Sequence, residues 1–383
     1  TETTGAPAPT ARRKAIMLRH HVTRTASTRS LVLALALAVV PLLGSAAAQS
    51  TWTCPDGFAG QTLNVYNWST YIADDTIANF EAACGVRVVY DTYPTDDDML
   101  VRLRQGNPGF DIVVPSDVVA TLMIEDDLLM PLDMSALPGF VNLDDTFLDL
   151  SFDPGNAYTV PYQWGTVGIG YNATRVGDIT SWAELFAHDG TVAWLDDVTA
   201  MIGVALIMTG HDPNSSVPAE LEEAKDFLIE NGRNVVYIAE DDGQEMLARG
   251  EIDIVVEYSG DVFQVMDECE CDDFGYVIPD EGTNFWVDSL AIPRGAQNPA
   301  LAHVFIDYIL DPQVAADISN YTAYGTPNRV ALETGLIDEE LASDPGIYPS
   351  PETLERLFFA TQDPVREALL NDIWDEVRIF VGR

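Results

Sequence analysis

Lysine is nearly missing from this 383-residue chain: Lys14 and Lys225 are the only two. Lys and Arg together number 19 against 61 acids, for a formal net charge of −42. That balance argues against nucleic acid and anionic lipid surfaces, which like charge repels, and it attracts cations from a distance. Part of it is a solvation device, since abundant Asp with almost no Lys resembles proteins of saline habitats. Histidine is scarce too. His188, His211 and His303 stand far from every Cys and from one another, which argues against zinc. There is no G-x-S-x-G segment, so a hydrolase of that kind lacks its nucleophile elbow. No apolar run is long enough to cross a bilayer.

The basic residues that do exist are unevenly placed. Arg12, Arg13, Lys14, Arg19, Arg24 and Arg29 precede an apolar run from Leu31 to Leu43 and the small residues Ala46, Ala47 and Ala48. A basic region, a short apolar region and an A-x-A exit make a secretory signal peptide over residues 1–48, with Met17 a candidate initiator. The expectation is export to the periplasm. Residues 49–383 then carry 13 basic and 60 acidic side chains, a net of −47. Four cysteines, Cys54, Cys84, Cys269 and Cys271, give an even count in an exported chain, so disulfides are expected in one of three pairings.

About 335 mature residues exceed the size at which one core keeps growing, so two lobes are expected. Strands are read at 63–66, 86–90 and 110–115, alternating with helices at 74–84 and 97–105. Further strands fall near 191–195, 235–238 and 252–258, with helices near 200–209, 219–230 and 243–248. Helices at 298–310, 312–320, 351–360 and 364–380 follow. Apolar strands alternating with helices imply a parallel α/β sheet, with ligands beyond the carboxyl ends of the strands. The apolar, Gly-rich stretch 159–171 and the stretch 285–293 read as segments crossing between lobes.

Within the second crossing, Trp286 and Asp288 are two apart and share one face of an extended strand. An indole face beside a carboxylate attracts a compact organic cation. Core packing of the Trp and turn capping by the Asp are the competing reading, since aromatic rings mostly pack.

Seven segments in order narrow the reading: LNVYNWSTYIADDTIANFE at 63–81, FDIVVPS at 110–116, PYQWGTVGIGYN at 161–172, SWAELF at 181–186, FWVDSLAIP at 285–293, AYGTPN at 323–328 and PGIYPS at 345–350. Over residues 61–383 the chain resembles the spermidine/putrescine-binding periplasmic proteins of ABC importers. The resemblance implies a two-lobe α/β periplasmic-binding-protein fold of type II, with a ligand cleft between lobes. Lobe 1 would be 61–163 and 289–328, and lobe 2 164–288 and 329–383, after an extension at 49–60. It implies a monomer, no catalysis and no cofactor, with a polyamine and a membrane permease as partners.

The same resemblance implies the ligand residues. Trp68 and Tyr71 are the aromatics of the first motif and Ser69 its hydroxyl; Thr70 replaces an acid common in the family. Ser116 follows the apolar strand, and Val118 replaces a Tyr. Asp197, or Asp196 beside it, matches a pocket aspartate, whereas Ala200 replaces a glutamate. Tyr258, Asp261, Trp286, Asp288 and Tyr324 match further aromatic and acidic positions, and Gln362 a late Gln. Asp261 could instead cap a helix starting near Val262. Three retained acids against two lost ones imply a ligand shorter or less charged than spermidine. Putrescine leads, with agmatine, cadaverine or an amino acid derivative behind it.

Overall fold

A computed structural model describes residues 50, 52–240, 242–271, 273–361 and 364–381. The expected signal peptide and Gln362 lie outside the described residues. Ten strands occur in the described chain: β1 (Thr62–Trp68), β2 (Arg87–Tyr93), β3 (Ile112–Val113), β4 (Thr159–Asn172), β5 (Val192–Leu195), β6 (Val235–Ala239), β7 (Ile254–Tyr258), β8 (Phe274–Val277), β9 (Asn284–Ala291) and β10 (Phe358–Phe359). They connect in the order β2-β1-β3-β9-β4-β7-β5-β6, with β10 beside β9 and β8 beside β4.

The expected parallel pairing holds for β1 with β2 and β3, and for β5 with β6 and β7. The crossing strands depart from it. β9 runs antiparallel to β3, and β4 runs antiparallel to β9, β7 and β8. Fourteen residues long, β4 pairs with β9 from Thr159 to Thr166 and with β7 from Val167 to Tyr171. It is buried along nearly its whole length, because it belongs to two sheets in succession.

Local signals explain where the helices start. Thr95 caps Asp96–Arg104, accepting the Asp98 N–H at 3.2 Å, and three aspartates in its first turn suit the helix dipole. Ser116 caps Asp117–Glu125, and Asp197 caps Val198–Thr209. Both caps come two or three residues past the carboxyl end of a short buried strand.

One continuous hydrophobic core packs against both sheets. On the first, Phe80 and Phe305 meet edge to face with centroids 5.0 Å apart. On the second, Trp182 and Trp194 are fully buried around Phe186. The N-terminal extension is held by a Cys54–Cys84 disulfide and by Trp52, which packs on Phe80 and Tyr308. Cys269 and Cys271 form the second disulfide.

One expected helix is shorter than read. The 351–360 helix stops at Leu354, and Phe358–Phe359 joins β9 as β10. Phe358 packs so closely on Gly203 that a Cβ there would lie 2.3 Å from its ring, a fit a continuing helix would lose. The helix Asp117–Glu125 and strand β8 were not among the sequence expectations.

Candidate ligand-binding site

The β4–β9 ladder sets the site. Its register places Gln163 opposite Asp288 and Gly165 opposite Trp286, so the Trp and the Asp share one face as their spacing predicts. Gly165 leaves room for the indole: a Cβ there would stand 2.6 Å from Trp286 Cζ2 and 3.1 Å from Tyr324 Cδ1. Trp286 meets Tyr324 at 5.1 Å and Tyr258 at 5.9 Å, both edge to face, and its Nε1 is buried without a hydrogen-bond partner.

Tyr71 joins this group, with its ring 5.4 Å from that of Tyr324. The Tyr71 carbonyl accepts from Tyr162 Oη at 2.6 Å and Gln163 Nε2 at 3.2 Å, which ties the turn after β1 to β4. Its hydroxyl is buried and faces the Asp288 carboxyl, its hydrogen-bond acceptor. Trp68 donates its Nε1 to the Val114 carbonyl at 2.9 Å, with its ring 4.6 Å from that of Tyr93. Ser69 is exposed in the turn after β1. Thr70 beside it has φ +49°, a left-handed backbone that suits a β-branched residue poorly.

Two acids are held by tyrosines. Tyr258 Oη donates to Asp197 Oδ2 at 3.1 Å, while Asp197 Oδ1 accepts the Ala200 N–H at 2.9 Å. Tyr324 Oη donates to Asp261 Oδ2 at 2.7 Å. Asp261 is the third residue of the helix Ser259–Cys269, which starts earlier than expected, so Asp261 lies inside the first turn and does not cap it. Asp196 is turned elsewhere, bound by Trp374 Nε1 at 2.6 Å and Arg378 at 2.9 Å.

Burial governs the electrostatics. It raises the Asp261 carboxyl to about 6 and lifts Asp197 as well. Asp288, only 7% exposed, is pushed well above the carboxylate range by burial, with the negative charges of Asp96 and Asp117 adding to the effect. None of Asp197, Asp261 and Asp288 pairs with a cationic side chain among the described residues. Three carboxyl groups without a cationic partner, set beside aromatic side chains, can receive a cation with an apolar body.

Asp96 and Asp117 escaped the sequence reading. Ser116 donates its hydroxyl to Asp96 Oδ2, and Asp117 is the first residue of the helix that Ser116 caps. The one available signal was their place at helix starts after apolar strands, which reads equally well as dipole compensation.

Residues 75–349 match the bacterial extracellular solute-binding protein family. The putrescine-binding periplasmic protein SpuD of Pseudomonas aeruginosa is 33% identical over 340 residues, covering 83% of this chain and 92% of that one. The putrescine-binding periplasmic protein PotF of Escherichia coli is 34% identical, covering 83% and 91%. A solved structure of a putative spermidine/putrescine ABC transporter from Listeria monocytogenes superposes with a TM-score of 0.77 at 35% identity, covering 83% of this chain and 99% of that one. With the match spanning both sheets and the crossing strands between them, the chain belongs to the bacterial extracellular solute-binding protein family.

Proposed function

We propose that this protein is an extracytoplasmic receptor that captures a polyamine between two lobes and delivers it to an ABC permease. The observation that carries the reading is the trio Asp197, Asp261 and Asp288, each beside an aromatic ring and none paired with a cation among the described residues. In this reading Trp68, Tyr71, Tyr258, Trp286 and Tyr324 bury the methylenes of the ligand, at roughly 0.8 kcal/mol per CH₂. The three aspartates pair with its ammonium groups, and Ser116 lines the cleft. Relatives that carry putrescine in their names support the ligand class.

The lobes of this reading are 61–163 with 289–328 and 164–288 with 329–383, and β4 and β9 carry the chain between them. Contacts from both lobes to one ligand favour the closed state, which a permease then recognises. The protein acts as a periplasmic monomer released from a signal peptide at residues 1–48, and it binds without turnover. No described helix is long and apolar enough to cross a membrane. A sensor that signals through the same closed state is the alternative, and a neighbouring gene set for an ATPase and permeases distinguishes transport from it.

The test is the melting temperature of the purified protein with putrescine, spermidine, cadaverine, agmatine and, as control, glycine betaine. A ligand at a hundred times its dissociation constant adds about 2.7 kcal/mol of stability. An upward shift with one or more amines and none with the control is expected. No shift with any amine sinks the reading and leaves the family assignment as one of architecture.

A further inference from the structure

The long strand β4 breaks its own alternation just before it reaches Gly165 and the aromatic rings. Its register against β9 places Pro161 opposite Ser289 and Gln163 opposite Asp288, which leaves Tyr162 as an extra residue. A β-bulge of this kind re-aims side chains. In a regular strand Tyr162 and Gln163 would point to opposite faces. Here both reach one acceptor, the Tyr71 carbonyl, Tyr162 through Oη at 2.6 Å and Gln163 through Nε2 at 3.2 Å.

Gln163 is 1% exposed, and its other end is bound as well: Oε1 accepts the Thr322 hydroxyl. Thr322 is the last residue of the helix Pro312–Thr322 and is fully buried, and its Oγ1 accepts the Tyr324 N–H at 3.4 Å. Between them Ala323 has φ +56°, a left-handed residue that ends the helix. The Tyr324 ring then lies 5.1 Å from Trp286 and 5.4 Å from Tyr71. One buried amide therefore joins the main chain that carries Tyr71 to the turn that carries Tyr324. Each of these tyrosines holds an acid, Tyr71 facing Asp288 and Tyr324 donating to Asp261 at 2.7 Å.

A ligand gripped by a carboxylate at each end is selected by the separation of those ends, because a buried ammonium that misses its acceptor is left uncompensated. Walls free to slide accept several lengths, whereas walls tied together accept fewer.

Resting on the polyamine reading above, we infer that Gln163 is a positioning residue that fixes Tyr71 relative to Tyr324, and through them the separation of the Asp288 and Asp261 carboxyls, so that the protein discriminates among amines by length. Its loss spares the fold. The Tyr71 carbonyl keeps Tyr162 Oη, and the Thr322 hydroxyl has the Ile318 carbonyl as a second acceptor at 3.0 Å. Neither partner is orphaned, so the change falls on alignment more than on stability.

The experiment is calorimetric titration of the full protein, Gln163→Met, Thr322→Val and Thr322→Ser with putrescine, cadaverine and spermidine. Met keeps the length of Gln and makes neither hydrogen bond. The readout is the ratio of the weakest to the tightest dissociation constant among these amines. That ratio is expected to shrink about fivefold or more in Gln163→Met, since selectivity is a difference of affinities. It is expected to shrink in Thr322→Val as well, and to hold its wild-type value in Thr322→Ser, which keeps the hydroxyl. Combining Gln163→Met with Thr322→Val is expected to add nothing further, because both cut one bridge. Equal weakening of every amine in Gln163→Met, or no weakening, overturns the inference, since a residue that only supports the fold does not reorder ligands. A wild type that binds the amines equally overturns it too. If Gln163→Met does not fold, Thr322→Val against Thr322→Ser decides by the same ratio. A wild type that binds none of the amines overturns the polyamine reading itself, an outcome distinct from amine binding whose selectivity ignores Gln163.

Discussion

Asp288 concentrates the chemistry of the site at one residue. It sits on β9 opposite Gln163, buried, facing the Tyr71 hydroxyl and the charges of Asp96 and Asp117. A bound ammonium that lost this carboxylate would be left buried with a poorer set of acceptors, a change that costs roughly 2–5 kcal/mol at interfaces of this kind. Asp288→Asn is therefore expected to weaken amine binding about 30-fold or more in calorimetry while the protein stays folded, because the amide keeps the shape. Unchanged affinity would remove Asp288 from the site. Gly165 tests the aromatic side of the same argument. A methyl group at that position would stand 2.6 Å from Trp286 Cζ2 and 2.9 Å from Ser259 Oγ, closer than real contacts allow. Overpacking of this sort costs about 1–3 kcal/mol. Gly165→Ala is expected to lower both the melting temperature and the affinity for amines, since the indole must move. A variant as stable as wild type would mean that the ring is free to shift, and that its position is not fixed by β4.

At the scale of elements, the two disulfides differ in the length of chain they close. Cys54 and Cys84 are 30 residues apart, and Cys269 and Cys271 only 2. Loop-closure entropy makes the first worth about 3–4 kcal/mol and the second less than half of that. Cys54→Ala/Cys84→Ala is thus expected to shift the denaturation midpoint at least twice as far as Cys269→Ala/Cys271→Ala. Equal shifts would mean that Trp52, packed on Phe80 and bound to Asp307 at 2.9 Å, already anchors the extension by itself. The same contrast between local and distant constraint decides what was legible in the sequence. β1, the helix Thr76–Cys84 and β4 announce themselves through apolar periodicity and a terminal Gly85 in the left-handed conformation. β10 does not: Phe358–Phe359 becomes a strand only because β9 and Gly203 receive it, and nothing within the segment separates that outcome from a longer helix. That Trp286 and Asp288 share one face was legible from strand alternation, whereas their place in a candidate site came from the other ordered segments, since core packing competed with it. Asp96 and Asp117 were not legible, because their meaning arises from Asp197 and Asp288, about 80 to 190 positions further along the chain.

Across the whole molecule, charge links folding to the ligand. Burial raises Asp261 to about 6 and Asp96 to about 7, both above the ordinary value for an aspartate in the unfolded chain. Between the unfolded and folded values the native state holds more protons than the unfolded state, so its stability falls as pH rises. These acids thus stabilise the ligand-free protein fully below about pH 4, and that contribution is lost as pH climbs through 6 and 7. A cationic ligand inverts the relation, since it pairs only with the ionised carboxylates and its binding is opposed by the protons that low pH retains. The net charge of −47 on residues 49–383 adds a background of self-repulsion, which salt screens with a Debye length of about 10 Å at 0.1 M. Comparing the protein with and without ligand at each pH and fixed salt cancels most of that background. The increase in melting temperature produced by a saturating polyamine is therefore expected to be small at pH 5 and to grow steadily to pH 8. Molar salt should raise the melting temperature of the ligand-free protein at pH 8 while reducing the increment due to the amine. An increment that is flat from pH 5 to 8 would mean that the bound cation does not meet these carboxylates, and that the charge of this chain serves its solubility alone.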